Sequence, residues 1–191
     1  MNRRDAIKNV AILLGSAISA STLAALEGCK SSAPKNYALQ APETKSILAE
    51  IAETIIPETD TPGAKAAKVE EFIVTMMSDC YEQKDQQLLL DGLKKVDEAS
   101  DKQYRKKFVD LSPEEKTAVL TEIDKERVAY NKRENKQNED PTHYFQYIKE
   151  LTLLGYFTSE PGATKALRYV AVPGKYEGCV PYKKGDKAWA T

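Results

Sequence analysis

With 191 residues, 28 Lys and Arg against 29 Asp and Glu, and a formal net charge of −1 at pH 7, the chain has no basic field to hold nucleic acid. A single histidine means that a zinc site or a histidine-based triad would have to be built around that one imidazole. Without residues 1–28 the chain is still long enough for one domain with a sizeable core.

The N-terminus reads as an export signal over residues 1–28. Arg3 and Arg4 precede an apolar run from Val10 to about Leu26, the positive-then-apolar layout of a targeting segment. Gly15, Ser16, Ser19, Ser21 and Thr22 dilute that run, which makes it a poor permanent span, since a span wants about 20 strongly apolar residues. Paired arginines before a mildly apolar core resemble a twin-arginine signal, the address of proteins exported already folded. An ordinary Sec signal is the alternative, and Ala6 stands where a large apolar residue is commoner. Leu26-Glu27-Gly28-Cys29 resembles a bacterial lipobox, in which Cys29 would be lipidated. Glu27 departs from that pattern, and a plain cleavage site or an uncleaved anchor is the other reading. A multiply acylated cysteine would hold the chain on a membrane, at about 0.8 kcal/mol per buried CH₂.

Residues 29–42 read as a Ser/Pro/Ala linker, and 43–191 as a single helical domain. Ile47, Leu48, Ile51 and Ile55 line one face of a first helix that Pro57 ends. After a loop at Pro57–Gly63, a second apolar stripe runs through Val69, Phe72, Ile73, Met76, Met77 and Cys80. Its methionines read as gap-filling core. Leu89, Leu90, Leu93 and Val96 mark a third helix, and Tyr104 with Phe108 a short fourth element. "LSPEEK" is a helix start: Ser112 caps, Pro113 suits the first helical position, and Glu115 completes a capping box. Val119, Leu120 and Ile123 follow.

"NKRENKQNED", residues 131–140, has no apolar residue and reads as a solvated loop or frayed helix end. Asp140 and Pro141 are expected to start a helix bearing Tyr144, Ile148, Leu151, Leu154 and Tyr156. That helix is apolar nearly all round between Leu151 and Phe157, which suits a central helix or a partner surface. "RYVAV", at 168–172, is the one candidate strand. The expected class is all-α: a compact bundle of about five to six helices with an extended, irregular C-terminal tail from about residue 169.

Motifs of chemistry are absent from the sequence. There is no G-x-G-x-x-G for a dinucleotide and no C-x-x-C-H for haem attachment. His143 beside the polar loop is expected to be a solvated residue of a helix's first turn. The carboxylates lie among lysines on polar faces, without an evident acid–base pair. No catalytic, cofactor-binding or metal-binding residue is assigned. The tail, by contrast, concentrates Tyr169, Tyr176, Tyr182 and Trp189, side chains of the kind enriched at interfaces. It could wrap its own helices, meet a partner, or do both. Cys80 and Cys179 form an even pair in an exported chain, which points to a disulfide worth about 4–5 kcal/mol in the chain-entropy picture. Two buried free thiols are the alternative.

Two blocks, "ETIIPETDTPGAKAAKVEEFI" (Glu53–Ile73) and "LTLLGYFTSEPGATKALRYVAVPGKYEGCVPYKKGDKAWA" (Leu151–Ala190), together with the arginine-bearing leader, resemble the gluconate 2-dehydrogenase subunit 3 family. The resemblance implies a small accessory subunit beside a large FAD-dependent dehydrogenase of the glucose–methanol–choline oxidoreductase type, often with a cytochrome c that carries haem c. It supplies no catalytic residue. It implies a subunit that binds no cofactor itself, helps a folded flavoprotein through the twin-arginine route, and tethers it on the periplasmic side of a bacterial envelope membrane. The rivals are a stand-alone envelope lipoprotein that binds through its tail, and an autonomous enzyme with an unrecognised carboxylate site.

Overall fold

A computed structural model describes residues 37–133, 135, 137, 140–172, 174–175 and 178–190. Among them are five α-helices: α1 (Pro42–Ile55), α2 (Val69–Cys80), α3 (Gln83–Tyr104), α4 (Pro113–Lys132) and α5 (Tyr144–Thr158). No strand occurs among the described residues, and the class is all-α as the periodicity implied. The stripes read from sequence face inward apart from Cys80 and Leu154, which are exposed. Leu48, Ile51, Ile73, Met77, Leu89, Val96 and Ile148 are all fully buried. Removing one such side chain to alanine costs about 2–5 kcal/mol.

α5 is the centre of the bundle and packs against all four other helices. Two glycines allow its close approaches. A Cβ on Gly155 would stand 2.6 Å from the Phe72 ring of α2, and one on Gly92 of α3 would stand 2.3 Å from the Tyr144 ring. Ion pairs then tie the outer helices. Glu50 of α1 accepts from Lys65 at 2.6 Å and from Lys116 of α4 at 2.9 Å. Asp124 of α4 joins Arg127 at 2.7 Å to Lys149 of α5 at 2.8 Å.

Helix boundaries follow local chemistry, with four departures from expectation. The capping box at Ser112 and Glu115 forms as read. Part of the expected linker, however, joins the core: Tyr37–Gln40 is a 3-10 turn whose Leu39 is fully buried. Tyr104 is the last residue of α3, not part of a separate element. Arg105 then takes a left-handed backbone (φ 57°), its N–H donating to the Asp101 carbonyl, and Phe108–Asp110 forms a 3-10 turn. α5 starts at Tyr144 with His143 as its cap, three residues beyond the Asp140-Pro141 start read from sequence. Finally, "RYVAV" makes no strand. Arg168 alone forms an isolated parallel bridge, with Trp189, because no neighbouring strand offers the rest of the segment a ladder.

Candidate partner interface

His143, the one imidazole, is structural. It is buried at 7% exposure, not solvated, and its Nδ1 accepts the Phe145 N–H at 3.2 Å, the N-cap bond of α5. The ring stacks on Tyr144 (4.5 Å between centroids) and meets Tyr130 edge-on at 5.5 Å. Burial pushes its pKa down. A groove of about 550 Å³ between α1, α4 and α5 contains Asp124 and Lys149. Burial works to raise the Asp124 carboxyl, but the hydrogen bonds from Arg127 and Lys149 outweigh it and leave its pKa lowered. A carboxylate held that way is a poor general base. Among the described residues, no group of three or more His, Cys, Asp or Glu side chains could hold a metal ion.

One end of the bundle is built differently. The Pro57–Gly63 loop after α1 is stapled by Glu53, whose carboxylate accepts the Glu58 N–H at 3.0 Å and the Lys65 N–H at 2.8 Å. Gly63 leaves the room for this: a Cβ there would lie 2.3 Å from Glu53 Oε1. Into the same loop reaches Tyr156 of α5, buried at 2% exposure, donating its hydroxyl to the Pro62 carbonyl at 2.6 Å. The Glu53–Ile73 and Leu151–Ala190 blocks therefore meet in space.

The opposite side of the same α5 turn faces solvent. Leu153, Leu154 and Phe157 are 42%, 47% and 40% exposed. Ser159 ends the helix and accepts the Gly162 N–H, launching a π-helical turn at Gly162–Ala166. The described residues of the tail that follows are almost all exposed, with Tyr169, Val170, Val172, Val180 and Tyr182 outward. Its base is held where Arg168 meets Trp189. The Arg168 N–H donates to Ala188, the Ala190 N–H donates back to Arg168, and the guanidinium lies 3.9 Å from the Trp189 ring centroid.

Of the residues singled out in sequence, Tyr169, Tyr182 and Trp189 are exposed on this tail, while Arg3, Arg4, Cys29 and Tyr176 lie outside the described residues. The structure forms no Cys80–Cys179 bridge. Both thiols are free, and both are exposed rather than buried. Cys80 ends α2 on its outer side, and the tail around Cys179 has no burial to pull it there. Sequence reasoning missed Arg168 as Trp189's partner. It also saw an all-round apolar α5 without resolving which side chains face out. Among the described residues no helix is long and apolar enough to cross a membrane.

A family model described as Gluconate 2-dehydrogenase subunit 3 matches residues 42–174, which runs from the start of α1 into the tail. No curated protein and no solved structure matches the chain.

Proposed function

The chain belongs to the gluconate 2-dehydrogenase subunit 3 family, and from that membership we propose that it is a non-catalytic subunit that docks a large FAD-dependent sugar or polyol dehydrogenase. The observation that carries this reading is the apolar surface of Leu153, Leu154 and Phe157 on α5, continued by the aromatic tail. Apolar side chains gathered at one end of a bundle are the ordinary footprint of a protein partner. Polar side chains elsewhere in the bundle hold the fold: Glu53 its loop, Asp124 two cations, His143 a helix cap.

The leader fits the same role. Arg3 and Arg4 would address a complex whose flavin must be bound before export, and Cys29 would anchor it to an envelope membrane. A cytochrome c subunit would complete the electron path. The test is affinity purification of the chain from gently solubilised native membranes, with mass spectrometry and a visible spectrum of the eluate. A co-purifying large subunit with flavin absorption is expected. A colourless, solitary chain would overturn the proposal in favour of a stand-alone lipoprotein.

A further inference from the structure

Resting on that docking reading, we infer that Arg168 and Trp189 are a clasp that shapes the tail into a presented loop, and that the loop is taken by a protein surface apolar at its centre and rimmed with carboxylates. The neck is closed by several independent contacts. Arg168 exchanges two backbone hydrogen bonds with the far arm of the tail, at 2.8 Å to Ala188 and 2.9 Å from Ala190. Its guanidinium covers the Trp189 ring. Lys187 donates its ammonium to the Lys165 carbonyl at the end of the π-helical turn. Each contact is modest, but together they offset the entropy of closing the intervening chain, which rises only slowly with its length.

What the closure displays is chemically uneven. Val172 and Tyr182 are 82% and 76% exposed, and Tyr169, Val170 and Val180 about half exposed. No helix of the bundle covers these side chains, so burial in their own fold does not account for their being held in place. Just before the neck, in the turn from Lys183 to Asp186, Lys183 and Lys184 are exposed, and the Asp186 carboxylate accepts the Lys183 N–H at 3.0 Å. This turn sets positive charge beside the exposed Val180 and Tyr182, and the complementary face is apolar with acidic groups at its edge. The turn at Gly162–Ala166 joins the loop directly to α5. A partner already seated on Leu154 and Phe157 would meet the loop next, which favours a protein over a lipid surface.

Trp189 is the only tryptophan of the chain, so its fluorescence reports the clasp directly. In the full chain, Arg168→Ala is expected to raise acrylamide quenching of Trp189 at least twofold, with far-UV circular dichroism unchanged. Arg168→Lys, which keeps the charge without the flat guanidinium, should fall between. Against the flavin-bearing large subunit, Arg168→Ala and Trp189→Ala should each weaken binding about tenfold. Lys183→Glu with Lys184→Glu should weaken it further and flatten its dependence on salt. Unchanged quenching in Arg168→Ala would remove the clasp. Altered quenching with unchanged affinity would remove the loop from the interface, and the docking reading would still stand if Leu154→Glu released the partner. Wild-type chain that binds no large subunit would sink the docking reading itself. Binding of the loop to anionic phosphatidylglycerol vesicles, lost in the same variants while subunit affinity holds, would overturn the protein partner.

Discussion

His143 shows how one side chain couples the fold to pH. Its Nδ1 must be unprotonated to accept the Phe145 N–H, and a charged imidazole at a helix N-terminus also opposes the helix dipole. Burial lowers its pKa in the fold; Lys95 and Arg127 act in the same direction, while Glu126 and Asp124 oppose them. The neutral form is thus favoured by folding. Its contribution is complete above the unfolded value of about 6.5 and is lost as pH falls from there through the lowered folded value. Urea midpoints are expected to drop between about pH 7 and the folded pKa, and His143→Asn, which keeps an acceptor at the cap without titrating, should flatten that drop. An unchanged slope in His143→Asn would place the acid sensitivity elsewhere. Glu53 offers a second test at this scale. Glu53→Ala removes two N–H acceptors and should cost about 1–2 kcal/mol. Gly63→Ala should cost a similar amount, because its methyl displaces the same carboxylate. The double variant should then be little worse than either single one, whereas additive losses in a thermodynamic cycle would refute a shared staple.

At the level of elements, the periodic stripes of α1, α2 and α3 were legible because a one-sided helix announces its buried face by spacing. The capping box at Ser112 was legible because its chemistry lies within four consecutive residues. α5 was not, since a helix apolar on every side carries no preferred direction; its neighbours decide what is covered. They cover Leu151, Gly155 and Tyr156 and leave Leu153, Leu154 and Phe157 outside. Leu154→Glu is accordingly expected to shift stability by no more than about 0.5 kcal/mol, as surface changes do. On the docking reading it should also weaken association with the large subunit about tenfold, or roughly 1.4 kcal/mol. A large loss of melting temperature without loss of partner would show that Leu154 serves the core instead.

For the whole molecule, we propose a division of labour in which the leader would address and anchor the chain and the bundle would dock the partner. Replacing Arg3 and Arg4 by Lys is expected to leave dehydrogenase activity in the cytoplasm, measured by fractionation, and normal export after that change would defeat the twin-arginine reading. The sequence by itself determined the helical class, most helix positions, the irregular tail and, through the Glu53–Ile73 and Leu151–Ala190 blocks, the family. Those properties are written in short-range spacing and wording. Only the tertiary structure decided that His143 is a buried cap, that Leu39 belongs to the core, that Cys80 and Cys179 stand free, and that Trp189 lies under Arg168. The reason is separation along the chain. Tyr156 and Pro62, 94 residues apart, share one hydrogen bond, and a local pattern names the residues that need a partner without saying which distant residue folding will bring to them.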